Sequence, residues 1–234
     1  MDAAVATLVV FSRREEAVEF AQESADIYGN LVDQRRNEFL PDLAKSLTRV
    51  GKLLKETKRP EAALPPLRQA VEIRRRFLSG HPDPLPDLAE SLAALTDCLR
   101  AIGKVEEAHN VACEATSVYR RLAADHPNDF LRPLAKSLWT VGEVLVGLGR
   151  VDEARATALE SVKIVRTSAA DRPNDNDLLR DLAVCLSYLT HWSRLSGSEK
   201  VLEYTRETVE AHRRAAAKFP AFISALAAWL SSLD

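Results

Sequence analysis

Between Pro86 and Pro127 the apolar positions step by four and three residues, first through Leu88, Leu92, Leu95, Leu99 and Ile102. After a break they resume through Val105, Ala108, Ala112, Ala115, Tyr119 and Leu122. This spacing keeps side chains on one face of a helix, so the stretch predicts two helices in succession. Gly103 stands between them and can take the positive φ that ends a helix, while Glu106 and Glu107 place negative charge at the start of the second. The alanines of the second stripe let two antiparallel helices approach closely where a larger side chain would hold them apart. The unit is a helical hairpin closed by His126 and Pro127.

The same unit recurs along the chain. The segments PDLAKSL, PDLAESL, RPLAKSL and RDLAVCL place Leu43, Leu88, Leu134 and Leu182 at steps of 45, 46 and 48 residues. Ala17, Ala63, Ala108 and Ala154 step by 46, 45 and 46, and Pro82, Pro127, Pro173 and Pro220 by 45, 46 and 47. A fixed period of two-helix units predicts an all-α right-handed solenoid of antiparallel helix hairpins, read as a single repeat domain. Its expected divisions are a half repeat at 1–38, repeats at about 39–83, 84–128, 129–174 and 175–219, and a terminal helix at 220–234. The second helix of the first whole repeat is expected to kink or start late, because Pro65 and Pro66 lack amide donors. The half repeat at the start favours an array cut from a longer one over an array capped by Ala221–Asp234.

In the second unit, Leu92, Leu95, Leu99, Gly103, Ala108 and Ala115 stand where the tetratricopeptide repeat family carries its first-helix apolar residues, its turn glycine and its two small second-helix residues. The chain resembles that family over nearly its whole length. Thr96 departs from the pattern where a small residue is usual, and Ala112 departs where an aromatic is usual. The period exceeds the family's usual 34 or so, which makes the chain similar to long-period members such as kinesin-light-chain-like and bacterial regulatory arrays. The resemblance implies a solenoid used for binding and leaves the ligand unspecified.

Composition narrows the function classes. With 32 basic and 34 acidic residues the formal net charge is −2, so no global field draws in nucleic acid or an anionic membrane. Ala3 to Phe11 is apolar apart from Thr7, but too short to span a bilayer and without a basic leader region. Cys98, Cys113 and Cys185 are odd in number and fall in predicted helices, which points to a reducing compartment and a cytoplasmic location.

Candidate chemistry is sparse. His109 and Cys113 lie four apart on one helix face without a third or fourth metal ligand nearby, and Cys113 reads as a small hydrophobe. Asp171 to Asp177 lacks the glycine and distal glutamate of a calcium loop, so its Asp and Asn read as helix caps. Arg74, Arg75, Arg76, Arg120, Arg121, Arg213 and Arg214 lie in late turns of second helices, where cations offset the helix dipole. His81 and His126 recur in successive loops and read as structural. No phosphate loop, nucleophile elbow or zinc signature is present, and no metal or cofactor is expected.

What remains is surface. The resemblance implies that first-helix positions turned away from the hairpin partner line a concave groove. These are Lys45, Thr48, Lys52 and Lys55 in the first unit; Glu90, Asp97 and Arg100 in the second; Lys136, Trp139 and Glu143 in the third; Ser187, His191 and Arg194 in the fourth. Such a groove suits a peptide or protein segment: the lysines meet carboxylates and Trp139 acts as an apolar anchor. The expected function is a protein-interaction scaffold, with an acidic segment as one form of partner and association through the open solenoid ends as a further possibility. Two other readings are a regulatory or oligomerising segment of a larger multidomain protein, and an enzyme on a helical-repeat scaffold.

Overall fold

The computed structural model describes residues 13–34, 36–78, 85–172 and 175–218. Ala3–Phe11, Arg35, His81, Pro82, Pro173, Pro220 and the expected terminal helix at 220–234 lie outside the described residues. Within them the chain is all-α. Its helices are α1 (Arg14–Asp33), α2 (Leu40–Glu56), α3 (Pro60–Leu78), α4 (Leu85–Ala101), α5 (Val105–Asp125), α6 (Pro127–Gly147), α7 (Val151–Asp171), α8 (Asn176–Leu195) and α9 (Val201–Lys218). A short 3-10 turn, Asn37–Phe39, precedes α2. Packing divides the chain into two compact units, Met1–Val118 and Tyr119–Asp234.

In the first unit α1 packs on α2, α2 on α3 and α3 on α4, with α2 also touching α4. In the second unit α6 packs on α7, α7 on α8 and α8 on α9, with α6 touching α8. Each helix buries the stripe its periodicity marks. Ala63, Leu67, Ala70 and Val71 of α3 are buried, and so are Ala154, Ala158, Val162 and Val165 of α7. Burial of a side chain the size of Leu67 contributes about 1.5–3 kcal/mol. Closeness at the α2–α3 contact comes from Gly51, whose missing side chain leaves the space that Leu67 fills.

The hairpin turns share one solution. Gly103, Gly149 and Gly197 take φ of 74°, 74° and 67°. The following amides reach back to the helix: Lys104 N to Leu99 O at 2.9 Å, Arg150 N to Leu145 O at 2.9 Å and Ser198 N to Ser193 O at 2.9 Å. This six-to-one bond satisfies a carbonyl that the helix end would otherwise leave open. The first full hairpin makes the same bond, Arg59 N to Leu54 O at 2.8 Å, around Lys58 at φ 61°. A lysine therefore holds the left-handed position that glycine fills elsewhere.

Two local expectations change. α3 begins at Pro60 rather than late, and Pro65 and Pro66 lie inside it, because buried Ala63, Leu64, Leu67 and Val71 hold the helix despite the missing amides. Pro127 opens α6 at a first-turn position, where its lost donor has no intrahelical partner anyway, rather than closing the hairpin before it. His191 and Trp192 sit within α8. Asp175 caps α8, its Oδ1 accepting from the amides of Asp177 at 3.0 Å and Leu178 at 3.1 Å.

Candidate interaction surface

Each unit presents a face built from its first helices. On the first unit α2 turns Leu43, Leu47, Val50 and Leu54 into the core, which leaves Lys45, Lys52 and Lys55 outward. Across from them α4 carries Glu90, Asp97 and Arg100. Lys52 donates to Glu90, and Lys55 Nζ donates to Asp97 Oδ2 at 2.8 Å. Arg100 approaches the other Asp97 oxygen at 3.9 Å. Burial alone would raise the Glu90 carboxyl, but the hydrogen bond from Lys52 and the charges of Lys52, Arg74 and Lys45 outweigh it and leave the group below the usual carboxylate range. Lys52 and Lys55, two of the four lysines expected to receive a partner's carboxylates, thus already hold this chain's own.

Thr48 is not on the open face: it is 4% exposed. Its hydroxyl donates to Ala44 O at 2.8 Å and so accepts from Ser91 Oγ, also 2.8 Å away. Ser91 in turn accepts from Arg74, which also donates to the Asp87 carbonyl. Arg74, Ser91, Thr48 and the Ala44 carbonyl form a buried relay that ties α3, α4 and α2 together beneath the charged face. Burial pushes the Arg74 guanidinium down from its ordinary value, against the raising charges of Asp87 and Glu90. Arg74 therefore has a packing role that its place in an arginine run did not reveal.

The second unit's face is aromatic. Trp139 on α6 and Tyr188 on α8 are both half-buried, with ring centroids 5.6 Å apart and planes tilted by 34°. Tyr188 meets Trp192 at 5.1 Å, and its hydroxyl donates to Glu143 Oε1 at 3.0 Å. Trp192 is buried, and Gly142 admits its ring: a Cβ there would lie 2.2 Å from Trp192 Cζ3. Such tilted aromatic contacts add roughly 0.5–1.5 kcal/mol beyond their burial. Lys136, His191 and Arg194 are exposed around this stack, while Ser187 is half-buried and donates to Ala183 O at 2.8 Å. Partial burial lowers the pKa of His191, and Arg194 lowers it further.

The structure brings Lys52 to Glu90, Lys55 and Arg100 to Asp97, and Trp139 and Glu143 to Tyr188. Sequence reasoning missed Tyr188. Its spacing of four before Trp192 and 49 after Trp139 was the available signal. Cys113 is exposed with Sγ 3.6 Å from His109 Nε2, and among the described residues no three His, Cys, Asp or Glu side chains gather as a metal site. Among the same residues no helix is long and apolar enough to cross a membrane.

Paired helices, left-handed turns and a period of about 45 residues define a helical-repeat fold. Residues 43–83 match the family model for the tetratricopeptide repeat. A point variant of the nearly identical TPR-like repeats of a kinesin-light-chain-type protein from Podosopora anserina shares the fold, with TM-score 0.71 and 18% identity over 94% of each chain. The Rap protein complexed with competence and sporulation factor aligns with TM-score 0.61 and 15% identity over 95% of this chain and 55% of that one. Bacillus thuringiensis PlcR in complex with the peptide PapR7 and DNA aligns with TM-score 0.55 and 13% identity, covering 98% of this chain and 72% of that one. No curated protein sequence matches the chain.

Proposed function

We propose that this chain is a protein-interaction scaffold that holds a partner's peptide segment against the first-helix faces of its hairpins. The observation that carries the reading is the Trp139–Tyr188 pair, two half-buried rings 5.6 Å apart on neighbouring first helices. Glu143 fixes Tyr188 through its hydroxyl, so the platform loses little freedom when occupied. An apolar or aromatic partner side chain stacks there, and Lys136, His191 and Arg194 at the rim meet its carbonyls and carboxylates.

The charged face of the first unit works differently. An acidic segment reaching Lys52 and Lys55 must displace Glu90 and Asp97, exchanging one exposed ion pair for another. Exposed pairs are worth about 0–1 kcal/mol, so this face adds selectivity more than affinity. Support for a peptide partner comes from proteins of the same fold, since PlcR is seen in complex with the peptide PapR7 and Rap with competence and sporulation factor.

The test is selection of a random displayed peptide library against the native chain. Enrichment of a peptide family with an apolar or aromatic anchor is expected. Affinity for it should fall about tenfold or more in Trp139→Ala and stay unchanged in Arg76→Ala on α3. Failure of any family to enrich, or equal binding to Trp139→Ala, refutes the proposal.

A further inference from the structure

Second helices are joined to the next second helix by arginine–glutamate pairs that recur in register. In the first unit Arg68 Nη2 lies 2.5 Å from Glu107 Oε1, and Arg75 Nε donates to Glu114 Oε1 at 2.9 Å. In the second unit Arg120 pairs with Glu160 at 2.9 Å and Arg166 with Glu207 at 2.8 Å. Counted from the small buried residues Ala63, Ala108 and Ala154, the arginines Arg75, Arg120 and Arg166 all stand 12 positions on, and Glu114 and Glu160 stand 6 on. Arg68 stands 5 after Ala63, and Glu107 is one before Ala108.

The outer helices of the described array fit the same register. In α1 the buried Ala17, Val18, Ala21, Ser24 and Ala25 match Ala63, Leu64, Leu67, Ala70 and Val71 of α3 by a step of 46. In α9 the buried Thr208, Ala211, His212 and Ala215 match Ser161, Ile164, Val165 and Ser168 of α7 by a step of 47. On this alignment Arg206 and Arg213 of α9 take the places of Arg68 and Arg75, while Glu16 and Glu23 of α1 take the places of Glu107 and Glu114. At the α1–α3 junction the partners of the second pair are Gly29 and Gln69, so both arms of that bridge are missing together.

The apolar positions agree. Leu202 of α9 corresponds to Leu64 of α3, yet Leu64 is 9% exposed and Leu202 is 74% exposed. Leu202, Arg206, Val209 and Arg213 form one stripe along α9. On α1, Glu16, Phe20, Glu23 and Ile27 form another, with Phe20 40% and Ile27 45% exposed. In α7 the residue equivalent to Ile27 is Ile164, which packs against Ala123, Leu134 and Leu138 of the elements before it. Arg206, Arg213 and Glu23 are exposed and make no ion pair among the described residues, and Glu16 pairs with its neighbour Arg13 at the surface.

We propose that this chain associates head to tail with a second copy of itself, α9 of one copy docking on α1 of the next. Arg206 meets Glu16 and Arg213 meets Glu23, repeating between copies the double bridge that joins α3 to α5, while Leu202 and Val209 cover Phe20 and Ile27. Charge sets the register and direction of the contact, and the exposed apolar side chains supply the area.

Sedimentation of the full chain from micromolar to submillimolar concentration tests this. Average mass should rise with concentration at low salt and fall back at high salt. Arg206→Glu with Arg213→Glu, and separately Glu16→Arg with Glu23→Arg, should each weaken association at least tenfold while far-UV circular dichroism stays native. Mixed in equal amounts, the two variants regain complementary faces and should associate again, and Arg76→Ala on α3 should associate as the native chain does. A native chain that stays monomeric throughout overturns the inference. So does association that either double reversal leaves intact, or a mixture that fails to recover.

Discussion

Gly51→Ala tests the closeness of α2 and α3. A Cβ built on Gly51 lies 2.3 Å from Leu67 Cγ and 2.6 and 2.9 Å from its two methyl carbons. Non-bonded carbons sit comfortably at roughly 3.5–4.0 Å, so contact must open by about 1 Å or more. Leu67 is fully buried and has no solvent to swing into. Either it leaves its rotamer or the two helices part. Adding a methyl to a packed core costs about 1–3 kcal/mol, while replacing a mid-helix glycine by alanine returns about 0.5–1 kcal/mol. The steric loss wins, and a net destabilisation of about 1 kcal/mol is expected.

Gly29→Ala is the matched control. It lies in α1, and nothing stands within 4 Å of its built Cβ. Only the helix gain applies, so this variant should be stabilised by about 0.5–1 kcal/mol. Thermal unfolding followed by far-UV circular dichroism reads both. For a chain of this size 1 kcal/mol moves Tm by about 2–4 °C, so the two variants should shift in opposite directions. Repeat arrays can unfold unit by unit, so the earliest transition of the melt is the one to compare. Leu67→Ala placed on Gly51→Ala should cost less than the sum of the two changes, because the leucine's removal vacates the space the methyl needs. A higher melting point for Gly51→Ala, or equal shifts for both glycines, would refute the packing argument.

Lys58 holds a left-handed φ of 61°, so Lys58→Gly should raise the denaturation midpoint by the equivalent of about 1 kcal/mol. Glu90 has a folded pKa below its unfolded value near 4.3. Its contribution is therefore complete above about pH 5 and is lost as pH falls through the lower folded value, so the native chain should lose stability between about pH 5 and pH 3 more steeply than Glu90→Gln. Burial pushes the Cys185 thiol up to about 11 despite its hydrogen bond with Ser161, and Cys98 is buried and also raised by desolvation. A thiol reagent followed by mass spectrometry should modify Cys113 in the native chain, and Cys98 and Cys185 only after unfolding.

Helices, turns and repeat register were legible in the sequence because each is written locally. Leucines at steps of three and four mark a buried stripe, Gly103 marks a left-handed turn, and a step of 45 to 48 residues repeats both. What those helices present was decided only by the fold. Lys52 and Lys55 read as bare cations until α4 brought Glu90 and Asp97 against them, 38 and 42 residues on. Thr48 and Arg74 sit at polar positions of their helices and are nonetheless buried, because Ser91 on a third helix supplies the hydrogen bonds that make burial tolerable. Trp139 read as a lone anchor and is half of a pair with Tyr188. Period constrains which side of one helix faces inward, but a charge or ring is free or engaged according to what a neighbouring helix carries at the same height, and that is a property of the packing.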